Sequence, residues 1–209
     1  RALRVAQVPL AFTEGFSPHP KISFGHALPV GAESIAEYLD ITTREDIDIA
    51  SLAGSLQAAL PEGMPVFTVA PILRKVQSLQ EATTSFEWLI HLTGTPDAVT
   101  GMPTALSADI IRGFVDQALA LEALPTERQR KGETISTDAR PALLGLEFHS
   151  ETDLGAMIRA EIATKAGVRP NEVVAACVVA TQCPVAVERF SRQEQWIQHG
   201  SERVSPLAP

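Results

Sequence analysis

The apolar and polar positions fall into two successive runs of elements, parted by a polar, non-periodic stretch at residues 74–84. Residues 1–7 read as the last turns of a helix already under way, with Ala2, Leu3 and Ala6 inward and Arg1 and Arg4 outward. Residues 8–13 are short and apolar and predict a strand. Residues 14–20 hold one glycine, two prolines and a serine and predict a loop. Alternation at 21–24 and 35–42 predicts two more strands, and Pro29 and Gly31 make 27–34 an irregular or edge segment. Asp48 is placed to cap a helix whose face carries Ile49, Leu52, Leu56 and Leu60, and Pro61-Glu62-Gly63 ends it. A strand at 64–72 follows. With a strand and most of a helix expected upstream, this half reads β-α-β-β-α-β, the split βαβ order of ferredoxin-like folds.

The pattern then restarts. Residues 85–93 predict a strand and 94–104 a loop. Ser107 caps a helix through Glu122 with Ile110, Ile111, Phe114, Val115, Ala118 and Leu119 on a broad apolar face. Lys131-Gly132 signals a hairpin between strands at 124–130 and 133–137. Residues 141–146 read as a short helical turn and 154–163 as a strand. Pro170 suits the first turn of a helix running to about Val179, and late strands follow at 185–190 and 195–204. The fold class expected is therefore α+β, with two ferredoxin-like units side by side. Residues 1–76 form the first, lacking its opening strand and most of its first helix, and 77–209 the second, with a C-terminal hairpin.

Composition narrows the class. The chain has 209 residues, 45% of them apolar and 20% charged, which excludes a mainly disordered, collagenous or disulfide-scaffold protein. Seventeen Lys and Arg against 25 Asp and Glu give a net charge of −8, a mild argument against a free-standing nucleic-acid binder. No apolar run approaches the roughly 20 residues that span a bilayer. Two cysteines, Cys177 and Cys183, make no framework, so a reducing cytoplasm is expected.

The sharpest chemistry lies at 13–40. Pro18 and Pro20 fix φ on either side of His19, and Gly15 permits backbone angles closed to other residues. Glu14, Phe16, His19 and Lys21 then form a stiff exposed loop with stacking, acid–base and cationic groups. It reads either as a binding site, with His19 as the candidate acid/base, or as a proline-stiffened turn. Glu33 and Glu37 share a strand face if that segment is extended, as an acid/base pair or a solvated face. His19 and His26 lack a third ligand, so no metal site is expected. Cys177 falls on an apolar helix and reads as core. Arg140 and Arg169 each precede a proline, and Arg169 stands at a helix N-terminus; each could hold a phosphate or carboxylate, or brace a loop against Asp138 or Glu172.

The run Glu14-Gly-Phe-Ser-Pro-His-Pro-Lys-Ile-Ser-Phe-Gly, then Ala-Leu-Pro-Val-Gly and Glu33-Ser-x-Ala-Glu-Tyr-Leu-Asp, resembles the radical-SAM-linked proteins. That family is a domain of unknown function encoded beside, or fused to, a radical-SAM protein. Asp138-x-Arg140-Pro141 and Gly167-x-Arg169-Pro170 match it too, and His26 stands where it has proline. The resemblance implies a radical-SAM partner that brings its own iron–sulfur cluster and S-adenosylmethionine, with none bound by this chain. The function expected is accessory substrate recognition, with RNA as substrate class. The alternatives are an independent RNA-processing enzyme using His19 and a purely structural interaction domain.

Overall fold

The computed structural model describes residues 1–72, 77–130, 132–165 and 167–207; the side chains of 128–130 are outside that description. The chain is mixed α+β and divides into two compact units. The first comprises residues 1–26 and 38–82. The second comprises 83–208 together with 27–37, a segment that the sequence pattern assigned to the first half.

In the first unit, α1 (Ala2–Val5) is one turn, and β1 (Ile22–Phe24) pairs antiparallel with β3 (Leu39–Ile41). Residues 8–13 make isolated bridges, Leu10 to Thr43 and Phe12 to Pro20, rather than a strand. Asp48 accepts a hydrogen bond from the Ala50 amide and starts α2 (Ile49–Ala59), as its position predicts. The strand expected at 64–72 is absent, and α3 (Leu79–Ala82) closes the unit. The described residues of this unit thus carry a two-stranded sheet, and the ferredoxin-like order expected here is corrected. The cause is visible at 35–42. The alternation that suggests one strand crosses the division between the units: 35–37 belong to the second and follow β2 (Glu33–Ser34), and only β3 (Leu39–Ile41) of the run is strand, in the first.

The second unit runs β4 (Thr83–Gly94), α4 (Ala108–Ala120), the hairpin β5 (Pro125–Arg130) and β6 (Glu133–Asp138), β7 (Leu143–Thr152), β8 (Gly155–Ala163), α5 (Pro170–Thr181), β9 (Val185–His199) and β10 (Glu202–Val204). The sheet order is β10-β9-β4-β8-β7, all antiparallel, with β2 added parallel to β9. Leaving the β5–β6 hairpin aside, the chain order is β-α-β-β-α-β with the last strand beside the first. The even positions Trp88, Ile90 and Leu92 of β4 and Ala156, Ile158, Ala160 and Ile162 of β8 are buried with Ile111, Phe114, Val115 and Ala118 of α4 and Val173, Val174 and Cys177 of α5. The face of α4 is narrower than its sequence suggests, since Ile110 and Leu119 remain exposed.

Two strands differ from expectation. The helical turn at Arg140–Ala142 is short, and β7 begins at once, over residues assigned to a turn or loop. Bulges at Leu143/Gly145 and Phe148/Ser150 break its period of two. The late strands at 185–190 and 195–204 are one strand, β9, followed by β10. Ser191-Arg192-Gln193-Glu194-Gln195 looks like a polar break, yet Arg192 and Gln195 are each 1% exposed. Their partners lie far away in the chain. Arg192 donates to the Glu37 carboxylate and the Ala27 carbonyl, each at 3.0 Å, with its guanidinium 4.5 Å from the Phe86 ring centre and 5.2 Å from that of Trp88. The Gln195 amide donates to the Ala36 carbonyl at 2.7 Å. These bonds, with Ile35 N–H donating to the Arg192 carbonyl, strap 27–37 onto β9.

Candidate binding face of the second unit

Both long helices of this unit cover the even face of its sheet, and among the unit's described residues the odd face carries no helix. Its side chains form a belt of ion pairs. Arg159 bridges Glu87 at 3.2 Å and Glu147 at 2.9 Å. Arg203 pairs with Glu161, which also accepts from Ser85 at 2.6 Å. Trp196 donates its indole N–H to Glu87 at 3.3 Å, and Arg203 lies over its ring.

Beside this belt is a depression of about 180 Å³ lined by Glu33, Leu89, His91, Met157, Arg189, Ser191 and Gln193. Strands β2, β4, β8 and β9 build it, and bulges in β9 shape it. Between His91–Arg189 and Leu92–Val187 the register skips Glu188, and between Glu87–Glu194 and Trp88–Arg192 it skips Gln193. A bulge re-aims the side chain it carries. Glu188 reaches His91 Nδ1 at 2.6 Å, and Gln193 turns its amide back onto the Ser191 hydroxyl at 3.0 Å. His91 Nε2 lies 2.8 Å from the Thr152 hydroxyl. The ring lies between these two groups at 12% side-chain exposure, hydrogen-bonded through Nε2. Arg189 is exposed and has no ion-pair partner among the described residues.

The residues singled out by sequence lie elsewhere. Glu14, Phe16, His19 and Lys21 are exposed in the first unit, on a loop closed by Thr13 N–H to the His19 carbonyl at 2.8 Å and His19 N–H to the Thr13 hydroxyl at 3.0 Å, with Gly15 at φ +122°. Arg140 and Arg169 are in the second unit. Arg140 donates to the carbonyls of Leu119, Leu121 and Leu143, so it caps the C-terminal end of α4. Asp138 accepts from the backbone N–H of Leu124 and of Arg140, which holds its carboxyl below the usual range. Arg169 is exposed at the start of α5, where the Glu172 carboxylate accepts its backbone N–H at 2.9 Å and already occupies that end of the helix. Glu33 and Glu37 are not a pair: Glu33 lines the depression, and Glu37 binds Arg192 and Ser34. Burial pushes the Cys177 thiol up to about 11. Among the described residues there is no group of three or more His, Cys, Asp or Glu placed to hold a metal ion, and no helix long and apolar enough to cross a membrane.

Sequence reasoning missed His91, Glu188 and Thr152. The available signal was weak: His91 is a polar odd position in the alternating run 85–93. Its two partners depend on a bulge and on strand β7, neither of which the pattern shows.

A family model described as an uncharacterized protein conserved in bacteria (DUF2344) matches residues 1–171. No curated protein matches the chain in sequence. Three solved structures resemble it at 9% identity. They are a Cbf5-Nop10-Gar1 complex (TM-score 0.36, 55% of this chain and 31% of that one), the archaeal box H/ACA sRNP Nop10-Cbf5 complex (0.44, 92% and 41%) and an H/ACA RNP bound to a substrate RNA containing 2'-deoxyuridine (0.43, 92% and 41%). The chain spans less than half the length of each, and a likeness of this size says nothing about substrate or partner.

Proposed function

We propose that this chain, which belongs to the DUF2344 family of uncharacterized proteins conserved in bacteria, is a substrate-recognition module for a radical-SAM protein, with single-stranded RNA as its substrate class. In this reading the second unit is ferredoxin-like, and its helix-free sheet face receives the substrate. The radical-SAM partner supplies the iron–sulfur cluster and S-adenosylmethionine.

One observation carries the reading: the odd face of the sheet combines a depression with exposed Arg189 and the Trp196–Arg203 stack. Unstacked bases rest on aromatic rings and guanidinium planes, and an arginine beside them meets phosphate. Charge sets the expected strength. Glu87, Glu147 and Glu161 neutralise Arg159 and Arg203, which leaves Arg189 as a cation open to phosphate on this face among the described residues, and binding is weak. The loop residues Glu14, Phe16, His19 and Lys21, with Arg169, are proposed as further contacts.

The test is fluorescence anisotropy of a labelled single-stranded RNA against the full chain at two salt concentrations. Arg189→Ala should weaken binding and lower the salt slope by about one. His19→Ala should weaken it by about 1–3 kcal/mol, the scale of one stacking contact. Saturable binding that both variants leave unchanged, or no binding at all, defeats the RNA reading. Absence of a radical-SAM protein from affinity purifications of the native complex defeats the partnership.

A further inference from the structure

Thr152, His91 and Glu188 come from β7, β4 and β9, three different strands, and meet in one line across the odd face. Glu188 Oε2 lies 2.6 Å from His91 Nδ1, close enough for its negative charge to favour a proton on the ring, although the pair is not in hydrogen-bond geometry. His91 Nε2 lies 2.8 Å from the Thr152 hydroxyl, within reach for taking its proton in the tautomer protonated on Nδ1. A hydroxyl, an imidazole and a carboxylate joined in this order are the parts of an activated oxygen nucleophile. The carboxylate is present because a bulge puts Glu188, unmatched in the ladder, on the His91 side. On β8, which runs between β4 and β7, the residue paired with Thr152 is Gly155, so no side chain covers the hydroxyl from there. Glycine is also required at that position, since a Cβ would fall 2.0 Å from the Leu92 carbonyl oxygen. Leu89 and Met157 give the adjoining depression an apolar floor.

We propose that Thr152, His91 and Glu188 form a hydroxyl-activating relay that accepts an acyl group from an activated ester, independently of any RNA binding. Thr152 Oγ1 attacks the ester carbonyl while its proton passes to His91 Nε2. The bond from Oγ1 to the acyl carbon forms, the bond to the leaving alkoxide or phenolate breaks, and the His91 proton goes to that leaving group or to solvent. Water then attacks the acyl-threonine with His91 Nε2 as base, releasing the carboxylic acid and restoring the Thr152 hydroxyl. Thr152 and His91 are the catalytic residues, and Glu188 is a positioning residue.

The full chain is treated with p-nitrophenyl acetate, phenolate release is followed, and the acetylated residue is mapped by mass spectrometry. The expected result is one acetyl group on Thr152. It is lost in Thr152→Ala, retained in Thr152→Ser, and formed about a hundredfold more slowly or worse in His91→Gln. Glu188→Gln should slow acetylation about tenfold or more and shift its pH–rate profile, which a merely bracing carboxylate would not move. Tryptophan fluorescence melts verify that each variant is folded, and Thr152→Ser keeps the test open if Thr152→Ala does not fold. Acetylation that maps elsewhere, or that runs as fast in Thr152→Ala as in the unaltered chain, overturns the relay.

Discussion

In the first unit the buried apolar side chains among the described residues are Leu52 and Leu79, whereas in the second they run through one cluster from Trp88 to Val185. The eight phenylalanines divide the same way. Phe12, Phe16, Phe24 and Phe67 are exposed in the first unit; Phe114 is fully buried in the second, and Phe86, Phe148 and Phe190 pack against its core. Similar residues thus meet different fates, and the difference is one of layers. The second unit has a sheet broad enough to receive two helices on one face. Among its described residues the first has two three-residue strands, one helix of three turns and two single helical turns, too little surface to close over its aromatics. Stability in the second unit therefore rests on burial and in the first on local hydrogen bonds and caps.

Probes are built into the chain. Both tryptophans, Trp88 and Trp196, lie in the second unit, so their fluorescence follows it alone, while amide hydrogen exchange follows the first. The largest expected effect is Phe114→Ala, which should lower second-unit stability by about 3–5 kcal/mol in a urea titration. Arg192→Ala should cost about 3 kcal/mol, because it strips the partner from Glu37 and the Ala27 carbonyl and removes the guanidinium from the Phe86 and Trp88 rings. Exchange should then rise across 27–37, and an unchanged segment would show that the strap does not depend on this residue. Burial holds the Arg192 guanidinium below its ordinary value, with Glu37 offsetting part of that, so the charge remains at neutral pH. Leu52→Ala should cost the first unit only about 2 kcal/mol, at the low end for a buried leucine, because the site is shallow.

Acid should separate the units by sign. Burial holds the Asp40 carboxyl above 3.8 in the first unit, so its contribution is fully present below the unfolded pKa and is lost as pH rises through the folded one. Hydrogen bonds from Leu124 and Arg140 hold Asp138 below 3.8 in the second, so its contribution is present above the unfolded pKa and is lost as pH falls through the folded one. Asp40→Asn should therefore protect first-unit amides at pH 7 and do little in acid. Asp138→Asn should flatten the acid limb of the tryptophan melt. The smallest effect is His19→Ala, which should change stability by about 0.5 kcal/mol or less, since the loop is held by backbone bonds and two prolines. A large loss there would show that the first unit has a core its exposed aromatics do not reveal.

Much was legible locally. Asp48, Ser107 and Pro170 each start a helix as their chemistry predicts, and Gly132 with φ +87° turns the β5–β6 hairpin. The alternation of β4 and β8 names the buried face correctly, and Cys177 is core. The fold class was legible at the level of α+β. The candidate site was scarcely legible: the exposed loop at Glu14 to Lys21 stood out because its residues are neighbours in the chain, while His91, Glu188 and Thr152 are brought together by pairing alone.

What the amino-acid order determined by itself is whatever depends on a few residues in succession: caps, turns, the period of a half-buried strand, the proline-pinned loop. Tertiary structure alone decided that 27–37 leaves the first unit to edge β9, that a polar run is a continuous strand, and that a histidine meets a glutamate and a threonine across the sheet. The physical reason is common to all three. A buried arginine, glutamine or histidine is tolerated only when distant groups satisfy its hydrogen bonds. In isolation such residues look like surface, and only the assembled sheet, with its bulges and its strap, supplies the partners that let them lie inside.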